Sequence, residues 1–237
     1  MAYTNGALER TPPRTIYILA YDDCDSLDVT GPYEVLQQAA QMLPQAQPLD
    51  VQIRSVRDST ATAGMARGNN GLTFVTTPWD GSDPPDLLIV AGGNFQVVDG
   101  IPVGTGIGKQ KDNPYFQDVI NQQHALGRTV VSVCTAAIGV VAAGIAENRH
   151  MTTHPGILDL LTGYAKSINK PVTLIDPDFG ARVVDAGDII SCGGVSAGIS
   201  EAFYLLQAFW PEMPELEGNV RAYIDFPYHS PIKVLPS

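Results

Sequence analysis

The sequence predicts an α/β fold: a single-domain sandwich with a mostly parallel sheet, helices on both faces, and a cysteine at a sharp strand-to-helix turn. Three observations support this fold class. Short β-branched apolar runs alternate with helical patterns along the chain. The chain has 237 residues, 44% of them hydrophobic, which is enough for one large core. One apolar run ends at Cys134, and small residues follow at once.

The predicted elements follow in chain order. Strands are expected at residues 15–20, 51–56, 87–90, 130–133, 172–175, 181–184 and 189–192. Helices are expected at residues 32–41, 114–126, 135–143, 155–164 and 195–209. Glycine and asparagine predict a hairpin within 60–77, and a flexible loop is expected at 102–113. Residues 15–210 should form the domain, 1–14 a flexible N-terminus, and 211–237 a C-terminal extension packed on the domain.

Charge and composition exclude several classes of function. With 25 acidic and 14 basic residues, the net charge is −11, which argues against nucleic-acid or anionic-membrane binding. No apolar run is long enough to span a membrane, and residues 1–14 lack the apolar core of a signal peptide. The 3 cysteines fit a reducing cytoplasm. The histidines show no metal-ligand spacing, so we expect no metal. We also expect a small-molecule substrate and no cofactor.

Cys134 is the candidate nucleophile. It follows the run Val130–Val133, and Thr135 and Ala136 come directly after it, which predicts a buried strand turning into a helix. A thiol at a helix N-terminus lies near backbone N–H groups that favour the thiolate. The alternative is a buried core cysteine, and the local pattern does not decide between the two.

Asp28 is the candidate acid/base. It lies between the first strand and the first helix, in the predicted loop before Gly31-Pro32. In an open parallel sheet, such loops gather at the carboxyl ends of the strands, where ligands bind. The alternative role is a helix-capping carboxylate.

Glycine-rich segments after two strands complete the predicted site. Gly92 and Gly93 could expose backbone N–H groups to a developing negative charge, although a tight turn explains them as well. The segment containing Val195 and Ser196 is expected to pass close to Cys134, and packing is the alternative. Of the other cysteines, Cys24 lies among aspartates that oppose thiolate formation, and Cys192 ends an apolar strand.

Five ordered motifs resemble the ThiJ/PfpI superfamily, and most closely its isocyanide hydratase branch. They are Leu27-Asp28-Val29-Thr30-Gly31-Pro32, Val90-Ala91-Gly92-Gly93, Ser132-Val133-Cys134-Thr135, Thr152-Thr153-His154 and Gly193-Gly194-Val195-Ser196-Ala197-Gly198-Ile199. The resemblance implies a flavodoxin-like, glutamine amidotransferase-like domain with a cysteine nucleophile elbow. It also implies a homodimer.

The resemblance further implies a hydro-lyase that converts an isocyanide to an N-substituted formamide through a Cys134 thioimidate. Asp28 would move the protons, and backbone N–H groups at Gly93 and Thr135 would steady developing charge, with the Thr135 hydroxyl as a further donor. His154 would line the site; glyoxalase-like relatives place a histidine near the thiol at this spacing, and an ordinary helix start is the alternative.

Departures from other branches favour this reaction. Protease-like and many glyoxalase-like members have a histidine after the cysteine and a glutamate near the first strand, where this chain has Thr135 and Asp28. The alternatives are an effector-binding protein like the ligand domains of AraC-type regulators, without their DNA-binding region, and a glyoxalase-like, deglycase-like or redox-protective enzyme.

Overall fold

The structure, a computed structural model, describes residues 10–56, 64–177 and 182–226, together with the backbone of 232–234. Its strands are β1 Thr15–Ala20, β2 Asp50–Val56, β3 Met65–Arg67, β4 Thr73–Val75, β5 Thr77–Trp79, β6 Leu87–Val90, β7 Gln96–Val98, β8 Ile101–Val103, β9 Thr129–Ser132, β10 His150–Met151, β11 Thr173–Leu174, β12 Val183–Asp185, β13 Ile189–Cys192 and β14 Ile232–Val234. Its α-helices are α1 Ser26–Met42, α2 Gly106–Gln110, α3 Pro114–Ala125, α4 Ala137–Ala143, α5 Leu158–Ser167, α6 Ala197–Phe209 and α7 Glu215–Tyr223. Short 3₁₀ helices cover Cys134–Ala136 and Pro155–Ile157.

An eight-stranded sheet with the order β14-β12-β13-β9-β6-β1-β2-β5 forms the centre of the molecule. Its pairs are parallel except that β12 and β13 are antiparallel. Helices α1, α6 and α7 pack together over one face, and α2, α3, α4 and α5 form a second group. The predicted mostly parallel sheet with helices on both faces is therefore confirmed. No helix in the described ranges is long and apolar enough to cross a membrane.

Buried apolar strands place the core at the centre of this sheet. All four residues of β6 are completely buried, as expected for a strand covered on both faces. Strands β6 and β9 lie side by side, with Val90 opposite Ser132. The loops after these neighbouring strands, which begin at Ala91 and Val133, therefore emerge at the same edge of the sheet.

Two sequence predictions differ from the structure in ways that concern the site. The first helix begins at Ser26, because the Asp25 side chain accepts a hydrogen bond from the Leu27 N–H and caps it; Pro32 lies inside the helix. Asp28 is therefore in the first turn of α1 and not in the loop before it. The expected flexible loop at 102–113 is wrong as well, since β8 and α2 occupy much of it.

The remaining elements lie near their predicted places. β3 and β4 pair antiparallel within the predicted hairpin, while residues 57–63 are outside the described part of the chain. Short helix α7, which begins in the proline-containing tail, packs on α1 and α6 through Leu216 and Val220. Residues 1–9 of the predicted N-terminal segment, and residues 227–231 and 235–237 of the C-terminal one, lie outside the described part of the chain.

Candidate active site

Cys134 lies directly after β9 in a left-handed backbone conformation, with φ of 58°. This conformation is uncommon for a residue with a side chain, and it turns the chain sharply into the following 3₁₀ helix. The Thr153 hydroxyl holds the turn by donating to the Cys134 carbonyl at 2.8 Å. The Cys134 side chain is 3% exposed, so it lies at the bottom of the site.

Asp28 approaches this thiol from α1. The carboxyl is completely buried, and its Oδ2 accepts a hydrogen bond from the Gly92 N–H at 2.9 Å. Its Oδ1 has no partner of ordinary hydrogen-bond geometry in the described chain. The Cys134 thiol interacts with the carboxyl and lowers the pKa of Asp28, although not enough to offset burial. Asp28 therefore contacts the candidate nucleophile, and Asp25 has the capping role that sequence reasoning left open for Asp28.

Gly92 and Gly93 hold the acid and Thr135 in place. The Gly93 N–H donates to Thr135 Oγ1 at 2.8 Å, and this hydroxyl donates to the Gly93 carbonyl at 2.9 Å. A Cβ on Gly92 would lie 2.6 Å from Thr135 Oγ1 and 2.7 Å from Asp28 Oδ2, so only glycine fits there. Both glycine N–H groups already have partners in the protein. The two glycines thus form a clamp whose N–H groups donate to protein side chains, and their expected role in an oxyanion hole stays a prediction.

Burial governs the protonation of the site. It raises the pKa of Asp28 well above 3.8, and the charge of Asp25 adds to that effect. Burial also raises the pKa of the Cys134 thiol, and the negative charge of Asp28 is the next largest cause that raises it. The Thr135 backbone N–H and hydroxyl lower this pKa. The predicted help from the helix end is present but smaller than the cost of burial. A protonated Asp28 removes the nearest negative charge from the thiol and supplies an acid beside it.

A second buried layer lies behind Cys134. Cys192, at the end of β13, lies near the Cys134 backbone, which lowers its pKa, and near the Glu201 carboxyl, which raises it. Glu201 is 1% exposed, and burial raises its pKa well above 4.5. Neither carboxyl oxygen has a partner of ordinary geometry among the described residues. Sequence reasoning missed Glu201, because within the apolar pattern of α6 nothing marks it as a neighbour of the elbow.

The other predicted site residues surround a cavity of about 340 Å³ beside the elbow. The cavity is lined by Leu27, His154, Pro155, Pro177, Arg182, Gly193, Gly194, Val195 and Ser196. The Nδ1 atom of His154 accepts from the Gly156 N–H at 3.1 Å, so this histidine caps the 3₁₀ helix that follows it. Val195 and Ser196 therefore lie in this wall with His154, whereas Thr153 bonds the Cys134 backbone and Cys192 lies near it. Arg182 was not anticipated, because its segment carries no motif.

The other cysteines differ from Cys134 in their surroundings rather than in their pKa, which burial raises in all three. Both Cys24 and Cys192 are completely buried. Burial and the neighbouring aspartates raise the pKa of Cys24 to about 12. Burial raises the pKa of Cys192 well above its usual range, with Glu201 adding to the effect. Among the three, the structure brings only Cys134 together with an acid and a hydroxyl at a strained turn.

Comparison with known proteins agrees with this fold. Residues 14–208 match the model of the DJ-1/PfpI family. The chain is 31% identical over 198 residues to an isonitrile hydratase of Pseudomonas putida, an alignment that covers 81% of this chain and 70% of that protein.

Solved structures show the same architecture. DJ-1β of Drosophila melanogaster has a TM-score of 0.69 at 15% identity, with 91% of this chain and 99% of that chain covered. A ThiJ/PfpI family protein of Pseudomonas syringae has a TM-score of 0.69 at 18% identity, with 98% and 83% covered. With the matched family model spanning both Asp28 and Cys134, the chain belongs to the DJ-1/PfpI family.

Proposed function

We propose that this protein hydrates an isocyanide to an N-substituted formamide. The supporting observation is the pairing of Cys134 with a buried Asp28 whose raised pKa favours the neutral acid. The reaction needs a nucleophile and a proton delivered at the same atom, the terminal carbon of R–N≡C. The similarity to an isonitrile hydratase supports the same reaction.

In the first step, Cys134 Sγ adds to the terminal carbon of the isocyanide. A C–S bond forms, the S–H bond breaks, and Asp28 passes the proton from sulfur to carbon, which gives a thioimidate, R–N=CH–S–Cys134. The free Oδ1 is the atom placed for this transfer, since Oδ2 is occupied by the Gly92 N–H.

In the second step, water adds to the thioimidate carbon as the neutral Asp28 gives its proton to the imine nitrogen and replaces it with one proton from the water. The C–S bond then breaks, the remaining proton of the water passes from the new hydroxyl to sulfur and restores the thiol, and R–NH–CHO leaves. Two protons enter with the water and two are returned, so the protein ends unchanged. Thr135 and Gly93 take no proton in this scheme. Their mutual hydrogen bonds keep Asp28 and the turn at Cys134 in position.

Formamide production from cyclohexyl isocyanide tests the proposal. The wild-type protein should form N-cyclohexylformamide, and Cys134→Ala should reduce turnover below detection because it removes the nucleophile. Cys24→Ala is the matched control, since Cys24 is also a buried cysteine but lies outside the proposed chemistry. Its turnover should persist.

Intact mass separates catalysis from sensing. A transient adduct of one isocyanide on Cys134, followed by formamide release, supports the hydratase. A permanent adduct or saturable binding without formamide would instead favour an effector-binding protein. Lactate formation from methylglyoxal with no isocyanide turnover would overturn the proposal in favour of glyoxalase-like chemistry.

A further inference from the structure

The cavity beside the elbow carries a positive charge that the described chain does not neutralise. Four other arginines, Arg10, Arg54, Arg149 and Arg221, each form an ion pair with a carboxylate. Arg182, which lines the cavity, is held by two hydroxyl groups instead: Nη2 donates to Ser196 Oγ at 2.6 Å and Nε donates to Ser200 Oγ at 3.3 Å. No carboxylate within the described ranges lies at ion-pair distance from it.

The two serine bonds fix the guanidinium and leave its terminal edge available. A guanidinium has five N–H groups. Both N–H groups of Nη1 and one of Nη2 are without a partner in the part of the chain that the structure describes. These groups form the planar fork that binds a carboxylate through two parallel hydrogen bonds.

The rest of the cavity wall is suited to an anion. His154 Nδ1 accepts the Gly156 N–H, so in the neutral ring Nε2 carries the hydrogen. This edge of the ring faces Gly194, where a Cβ would lie 3.5 Å from Nε2. Ser196 accepts from Arg182 and keeps its own hydroxyl hydrogen to donate. Arg182, His154 and Ser196 thus offer hydrogen-bond donors, whereas Leu27 and Pro177 supply apolar surface.

Two residues that line the cavity are chain neighbours of the site. Leu27 precedes Asp28 in α1, and His154 follows Thr153, whose hydroxyl holds the Cys134 carbonyl; Cys134 and Asp28 themselves do not line the cavity. A volume of about 340 Å³ suits a small organic molecule. A substituent on the isocyanide nitrogen that reached this space would meet a fixed arginine in its wall.

We propose that Arg182 binds a carboxylate on the substrate, so that the preferred isocyanides carry an acid group separated by a short chain from the isocyano group. This inference rests on the proposed hydration reaction for the identity of the electrophile. Arg182 is then the residue that determines specificity, while Cys134 and Asp28 perform the chemistry.

Matched substrates test the inference. The probes are ω-isocyanocarboxylates with one to four methylene groups, each compared with its neutral primary amide. For the chain length that fits, wild-type kcat/KM should be about 10- to 100-fold higher for the carboxylate, the range expected for hydrogen bonds to charged groups. Arg182→Gln should bring the carboxylate-to-amide ratio close to one, and Arg182→Lys should give an intermediate ratio because it keeps the charge but loses the fork.

Arg14→Gln is the control variant. Arg14 is exposed and precedes β1, at the end of the strand opposite the site, so it should leave the ratio as in the wild type. A wild-type ratio near one for every chain length, or an Arg14→Gln variant that lowers the ratio as much as Arg182→Gln, would overturn the inference while the hydratase proposal stands.

Product binding provides a readout that needs no turnover. Calorimetry should show that N-formyl-β-alanine binds more tightly than N-formyl-β-alaninamide, and that Arg182→Gln removes this difference. If no isocyanide is hydrated but the Arg182-dependent preference is found, the carboxylate site stands and the proposed reaction fails. Equal binding of the acid and the amide by the wild type counts against the site.

Discussion

Two buried aspartates, Asp28 and Asp185, have nearly the same exposure but very different surroundings. Asp28 is 0% exposed and Asp185 is 2% exposed. Asp185 accepts two hydrogen bonds from Arg10, at 2.6 and 2.8 Å, one from the Gly187 N–H at 2.8 Å, and another from the Tyr204 hydroxyl. Asp28 has one backbone donor, a thiol beside it, and an oxygen without an ordinary partner among the described residues.

The difference separates a structural carboxylate, Asp185, from the carboxylate that we propose as the acid, Asp28. The charge of Asp185 is balanced by an arginine and satisfied by several donors, as a stable buried ion pair requires. The charge of Asp28 has no cation, so burial favours the neutral acid, which holds a proton beside the thiol. Burial alone therefore does not distinguish a candidate functional carboxylate from a structural one. The distinction comes from whether the carboxylate has a cation and hydrogen-bond donors around it.

The largest expected effect is on catalysis. Asp28→Asn keeps the size of the side chain but cannot transfer a proton, so kcat/KM for isocyanide hydration should fall by about 10²- to 10⁴-fold. Asp185→Asn should change kcat/KM much less, because Asp185 is remote from the elbow. Formamide production by both purified variants measures the contrast. An Asp28→Asn variant with wild-type kinetics would remove the distinction between the two aspartates.

The reverse contrast is expected in folding stability. Asp185→Asn leaves the buried Arg10 without its counter-charge, which should lower the free energy of unfolding by about 3–5 kcal/mol. At pH 4, Asp28→Asn breaks no ion pair and should cost less than about 1 kcal/mol. Urea denaturation of the two variants at one pH compares them. Equal losses of stability would show that Asp28 is structural as well.

The glycine clamp should have a smaller effect on activity. Gly92→Ala forces a Cβ against Thr135 Oγ1 and Asp28 Oδ2, which displaces the acid and should lower kcat by about 10- to 100-fold. Gly163→Ala is the control, because a Cβ there meets nothing within 4 Å and the position is in helix α5. The control should keep its activity and gain up to about 1 kcal/mol. Normal kinetics in Gly92→Ala would mean that Asp28 does not depend on the clamp.

The last expected effect is on the pH dependence of folding stability. Because the folded pKa of Asp28 is raised, the folded state keeps its proton after the unfolded state has lost it, so this group destabilises the protein as pH rises above 3.8. Asp28→Asn removes that loss. Its stability relative to the wild type should improve by up to about 1.4 kcal/mol per pH unit between pH 4 and the folded pKa. Denaturation curves at pH 4.5, 5.5 and 6.5 measure the trend, and a relative stability that is constant with pH contradicts it.

The fold could be predicted where local pattern decides structure. The bounds of β1, β6 and β13 agree with their apolar runs, and α3 begins at the predicted proline. The start of α1 was missed because Pro32 suggested the first helical turn. Asp25 instead caps a helix that begins at Ser26, six residues before the expected start.

The residues of the candidate site could be predicted from the sequence, but the hydrogen bonds between them could not. Cys134, Asp28 and Thr135 were marked by position and meet in the structure. The hydrogen bonds of the glycine clamp could not be predicted from the sequence. The Gly92 N–H bonds a residue 64 positions away, and the Gly93 N–H bonds one 42 positions away. Arg182 was missed for a similar reason: its significance comes from the carboxylate that it lacks, which only the surrounding structure reveals.

The left-handed backbone at Cys134 has a consequence for evolution. Any side chain in that conformation costs about 1–2 kcal/mol, and glycine alone avoids it. Selection for thermal stability alone would thus favour glycine at this position, and the thiol would be lost. Under the proposed function, selection for the thiol would have to outweigh this backbone cost.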